Sequence, residues 1–96
     1  MPKYISLINW TDQGARNFKE TTKRAADAAA LAEKMGGKLT VYWTLGSCDL
    51  VTISELPDDH AATAFLLRLA SLGNIRTQTM RAFDAQEMKG IIDKAV

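Results

Sequence analysis

Residues 38–55 read KLTVYWTLGSCDLVTISE, and this run sets the topology of the chain. Lys38 to Leu45 alternates in the manner of a strand, Gly46-Ser47 turns, and Asp49 to Glu55 alternates again. Two such runs joined by a short glycine turn make a β-hairpin. On its N-terminal side lies a helix that starts at a cap, Thr21 or Thr22, and ends at Met35 before Gly36-Gly37. Its stripe of Ala25, Ala28, Ala29, Leu31, Ala32 and Met35 is made mostly of small residues, which allow close approach to a sheet. Before that helix, Tyr4 to Trp10 is short, β-branched and aromatic, a first strand. Thr11-Asp12-Gln13-Gly14 then supplies a cap and turn, and Ala15 to Lys19 a helical turn. On the C-terminal side, Leu56-Pro57-Asp58-Asp59 stops the hairpin and opens a second helix, with its aspartates at the positive end of the dipole. Ala62, Phe65, Leu66, Leu69 and Leu72 recur at helical spacing until Gly73. A fourth strand covers about 74–83. Asp84 and Glu87 form a capping box for a last helix carrying Met88, Ile91, Ile92 and Ala95. The order βαββαβ plus a terminal helix predicts an α+β, ferredoxin-like fold: a four-stranded antiparallel sheet with two main helices on one face.

Composition bounds the function classes. The chain has 96 residues, 47% of them hydrophobic and 24% charged, which suits one globular domain over residues 1–96. Twelve basic against eleven acidic side chains leave a net charge of +1. That balance offers no field for nucleic acid or an anionic membrane. No apolar run approaches the ~20 residues that cross a bilayer. Met1-Pro2-Lys3 leads straight into a strand, so no signal peptide is expected and the expected location is cytoplasmic. A lone Cys48 and a lone His60 exclude an internal disulfide and multi-cysteine or His-rich metal sites, and no cofactor or metal is expected.

Sorting the strands by hydrophobicity gives two faces. Ile5, Leu7, Leu39, Val41, Val51, Ile53, Thr77 and Thr79 suit the helices. The other set holds Tyr4, Ser6, Ile8 and Trp10, then Thr40, Tyr42 and Thr44, then Leu50, Thr52 and Ser54, and finally Arg76, Gln78 and Met80. Six large apolar or aromatic side chains on that second face need a cover. The expectation is at least a homodimer, either flat or closed into an α+β barrel around a mixed cavity. Tyr4, Asn9, Trp10, Tyr42, Arg76 and Gln78 are its candidate ligand-binding residues.

Several stretches together resemble the GYD domain family of small bacterial proteins in the dimeric α+β barrel group. They are residues 1–7, Asn9-Trp10-Thr11-Asp12-Gln13-Gly14, Tyr42-Trp43-Thr44-Leu45-Gly46, Asp49-Leu50-Val51, Pro57-Asp58-Asp59 and the run from Gly73 to Phe83. The resemblance implies the same fold and carries over no settled activity. The signature corner reads Gly46-Ser47-Cys48-Asp49 here, with Cys48 where the family has tyrosine.

No catalytic set stands out. Asp49 beside Cys48 disfavours the thiolate, so Cys48 is read as a small structural side chain. His60 in the first turn of a helix, next to two aspartates, is read as a surface group. Asp49 is expected to bind turn amides. The leading reading is a dimer that binds a small aromatic or acidic molecule, with no residue set that argues for an enzyme. The alternatives are a cofactor-independent oxygenase or isomerase, by analogy of fold, and a structural or regulatory interaction module without a ligand.

Overall fold

The computed structural model describes residues 1–96. Its elements follow the expected order: β1 (Lys3–Trp10), α1 (Asp12–Arg16), a single 3-10 turn (Phe18–Glu20), α2 (Thr21–Lys34), β2 (Lys38–Trp43), β3 (Leu50–Glu55), α3 (Asp59–Ser71), β4 (Ile75–Ala82) and α4 (Ala85–Ala95). The sheet is four-stranded and antiparallel, in the order β2-β3-β1-β4. This is the α+β ferredoxin-like fold. No helix is long and apolar enough to cross a membrane.

Local chemistry places the ends. Thr11 accepts from the Gly14 amide to start α1, Asp58 accepts from Ala61 to start α3, and Asp84 with Glu87 forms the capping box of α4. The start of α2 differs from the reading of a threonine cap. Glu20 occupies the cap position without a side-chain bond, and the preceding 3-10 turn leads directly into the helix. The hairpin strands end at Trp43 and restart at Leu50. Between them Thr44 closes the loop, its amide donating to the Asp49 carbonyl at 2.9 Å and its hydroxyl to the Cys48 carbonyl at 2.6 Å.

The sheet register corrects the sorting of faces. Across the strands, Leu39, Ser54, Tyr4 and Arg81 lie in one row, and Val41, Thr52, Ser6 and Thr79 in the next. These rows face the helices: Tyr4, Ser6, Ile8, Leu50, Thr52 and Ser54 are buried. The opposite, open face carries the rows Thr40–Ile53–Ile5–Met80 and Tyr42–Val51–Leu7–Gln78. Expectation and structure agree for β2 and β4. For β1 and β3 the faces are reversed, because hydroxyl residues lie under the helices and paired aliphatics lie outside. Leu39 can share a face with Ser54, its register partner, and not with Ile53.

The dry core sits at one end of the helix layer. Tyr4, Ala32, Leu56, Ala62 and Phe65 form it, with Leu31, Met35 and Leu39 packed against it. The last half of α2 and the first half of α3 meet there. Toward their other ends the two helices leave a gap over the sheet.

Candidate functional site

That gap is a cleft with a cavity volume of about 70 Å³. Ala25 and Ala28 of α2 face Phe65, Leu66 and Leu69 of α3 across it. Ser6, Ile8, Leu50, Thr52 and Thr77 make its floor. The small side chains on α2 account for the opening: alanine at both positions leaves room that leucine would fill. Twelve of the eighteen lining residues are hydrophobic, and the polar ones include Thr21, Arg24 and Asn74, all half-buried. An apolar slot with a few polar groups is the composition of a small-molecule site.

The rim is tied down by backbone contacts. Thr11 donates from its hydroxyl to the Gly73 carbonyl at 2.6 Å, and its amide donates to Asn74 O at 3.0 Å. Gly14 is buried so tightly against the Asn74 backbone that a Cβ there would overlap it. The Arg24 guanidinium donates to Asn17 O at 2.9 Å and Gly14 O at 3.2 Å, which fixes its position at the cleft. In the floor, the Ser6 and Thr79 hydroxyls share a 2.8 Å hydrogen bond. No buried side-chain polar atom lacks a partner. Buried hydroxyls are therefore tolerated under the helices at little cost.

The six candidate ligand residues fall on two faces. Trp10 lines the cleft. Tyr4 is buried in the core on the same face, its hydroxyl donating to Asp59 Oδ1 at 2.5 Å. Burial, and then that hydrogen bond, push the phenol up to about 12. Asn9, Tyr42, Arg76 and Gln78 are exposed on the open face, with Asn9 opposite Arg76 on the edge strand β4. Tyr4 and Trp10 thus do not share a surface with Tyr42 and Arg76, and one cavity lined by all six is ruled out within a single chain.

At the signature corner, Gly46 turns with a φ of +121°, a conformation suited to glycine. Asp49 accepts from the Trp10 amide at 2.9 Å and donates its own amide to Ile8 O at 2.9 Å. It therefore pins the end of β1 to the hairpin, as a backbone-binding aspartate should. Cys48 is half-buried, with its Sγ 3.6 Å from the Thr44 hydroxyl. Sequence reasoning misses Arg24, Phe65, Asn74 and Thr77 as lining groups. The available signal is the small-residue stripe on α2, which marks where a helix leaves space.

Known proteins share this architecture. The family model described as GYD domain matches residues 4–92. The chain is 30% identical over 90 residues to the glutamine synthetase and cystathionine beta-lyase binding protein of Thermus thermophilus, covering 92% of this chain and 95% of that one. It superposes on the crystal structure of a Thermus thermophilus protein with a TM-score of 0.58 at 23% identity, covering 88% of this chain and 96% of that one. A chlorite dismutase-like structure gives a TM-score of 0.58 at 15% identity, covering 96% of this chain and 48% of that one. The two structural likenesses concern the fold.

Proposed function

Because the chain belongs to the GYD domain family, we propose that it is a one-domain cytoplasmic binding protein that takes a small aromatic or acidic molecule and works as a homodimer. The observation that carries the ligand is the apolar cleft between α2, α3 and the sheet, with Arg24 and Trp10 among its lining residues. An apolar body would displace water from the slot, and a carboxylate would meet the guanidinium. The cleft's 70 Å³ is below the ~150 Å³ that accommodates benzene, so a ring would enter by spreading α2 from α3. The homodimer is supported by the open face, where Ile5, Leu7, Val51 and Ile53 lie side by side without a covering layer. A two-fold axis lets each copy cover this face of the other.

The test uses benzoate and a panel of aromatic acids on a Trp43→Phe variant, which leaves Trp10 as the sole tryptophan. Saturable quenching is expected. Ala28→Phe should abolish it by filling the slot, and Arg24→Ala should weaken acids more than their neutral amides. No saturable change with any acid would defeat the ligand reading. Turnover of a bound molecule by the purified protein without added cofactor would favour the oxygenase or isomerase alternative.

A second reading is favoured by the Thermus thermophilus relative, whose name describes it as binding two enzymes. In that reading the chain is an interaction module, and the hairpin loop with its fully exposed Leu45 is a contact point. Leu45→Ser would then weaken binding of a partner enzyme, while Ala28→Phe would not.

A further inference from the structure

α4 has an apolar stripe and nothing beneath it. Met88, Ile91 and Ile92 follow helical spacing, yet they are 47%, 37% and 50% exposed, and no residue of the helix is buried. An isolated helix of 11 residues is marginal in water, because such helices take their stability from packing of an apolar face. The molecule is correspondingly drawn out. Its radius of gyration is 14.5 Å, against about 12.5 Å expected for a compact chain of this length. A second uncovered surface is the open sheet face, where Tyr42, Ile53 and Met80 are 56%, 41% and 44% exposed.

We infer that α4 is a clasp: in the homodimer each copy lays the stripe of Met88, Ile91 and Ile92 across the open sheet face of the other. This rests on the dimer proposed above and adds to it which element closes the contact. Three features select a second copy as the occupant. The dimensions match, since an 11-residue helix is ~16 Å long and four strands span ~14 Å between the outer two. The area matches too. At those exposures the three sheet residues offer roughly 300 Å² and the three helix residues about as much, and only their sum approaches the ~800 Å² per partner of a stable interface. Finally, the arrangement is reciprocal, because each chain carries one clasp and one platform.

The experiment is sedimentation velocity of the full chain over a range of concentrations. Wild type should dimerise, and Ile53→Glu on the platform should split it. Met88→Glu with Ile92→Glu, which keep helix-forming residues, should weaken association at least about tenfold. Lys89→Glu, outside the stripe, should not. A dimer that yields to Ile53→Glu but ignores the α4 substitutions overturns the clasp and leaves the dimer standing. A wild-type monomer overturns both. A second measurement locates the contact. In a Cys48→Ser background, chains with Ile92→Cys are mixed with chains carrying Ile53→Cys and oxidised. A covalent heterodimer is expected. If both cysteines on one chain instead close only within that chain, α4 folds onto its own sheet and the inference fails.

Discussion

Tyr4 is the residue at which pH acts most directly on this fold. Its ring lies in the core, its hydroxyl donates to Asp59, and Arg81 sits 5.8 Å from the ring centroid. Burial is the main cause of the raised pKa, the bond to Asp59 adds to it, and Arg81 opposes it. The folded state therefore holds the phenolic proton more tightly than the unfolded chain does. Its contribution is fully present below the ordinary value of 10.0 and is lost as pH rises through about 12. Tyr4→Phe should cost about 1 kcal/mol at neutral pH. It should also flatten the fall of stability in the alkaline window, measured by denaturant titration at several pH values. An unchanged alkaline slope would mean another group governs it. Glu55 acts at the other end of the scale. Its hydrogen bond to Lys38 and the charges of Lys38 and Lys3 hold its carboxyl below the usual range. That contribution is present above the ordinary value of 4.5 and disappears as pH falls below it. Glu55→Gln should reduce the acid slope in the same titration.

At the level of elements, the rim of the cleft depends on how closely α1 can approach the turn before β4. Gly14 meets the backbone of Asn74, which cannot yield as a side chain could. Gly14→Ala should therefore lift α1, disturb the Arg24 bond to the Gly14 carbonyl, and destabilise by about 1–3 kcal/mol. Thermal melts, together with affinity for the aromatic-acid probe, would check it, and an unaltered melting temperature would contradict it. The order and kind of every main element are legible from periodicity, caps and glycines, because those signals are local. The faces of β1 and β3 are misread from hydrophobicity, although the sequence holds the information. A turn centred on Gly46-Ser47 places Leu39 opposite Ser54, so odd positions of β2 share a face with even positions of β3. Hydrophobicity points the other way, since Ser6, Thr52, Ser54 and Thr79 lie under the helices while Ile5, Leu7, Val51 and Ile53 lie on the open side. The same reversal separates Tyr4 and Trp10 from Tyr42 and Arg76. Arg24 gives no sequence signal, because a single arginine on a helix carries no motif. Only the fold brings it into the same cleft as Trp10.

For the whole molecule, the two faces of the sheet should respond oppositely to the same chemical change. Ile8 is 4% exposed beneath the helices, whereas Ile53 is 41% exposed on the open side. A glutamate at position 8 would place a carboxylate in the apolar floor of the cleft, while Arg24, the cleft's one charged lining residue, is held at the rim by the Asn17 and Gly14 carbonyls. Burying an unpaired charge is among the few single changes that remove most of a small domain's stability. Ile8→Glu should therefore cost at least about 3 kcal/mol and lower the unfolding midpoint whatever the oligomeric state. Ile53→Glu puts its charge where solvent already reaches and should alter the stability of the isolated chain by less than about 1 kcal/mol. What it should change is association, moving the sedimenting species toward the 10.5 kDa monomer. Circular dichroism melts and sedimentation of the two variants, run side by side, separate the layers. If Ile8→Glu stays folded but monomeric while Ile53→Glu collapses, the assignment of faces is inverted. If neither variant changes association, the open face has another use than pairing with its own copy.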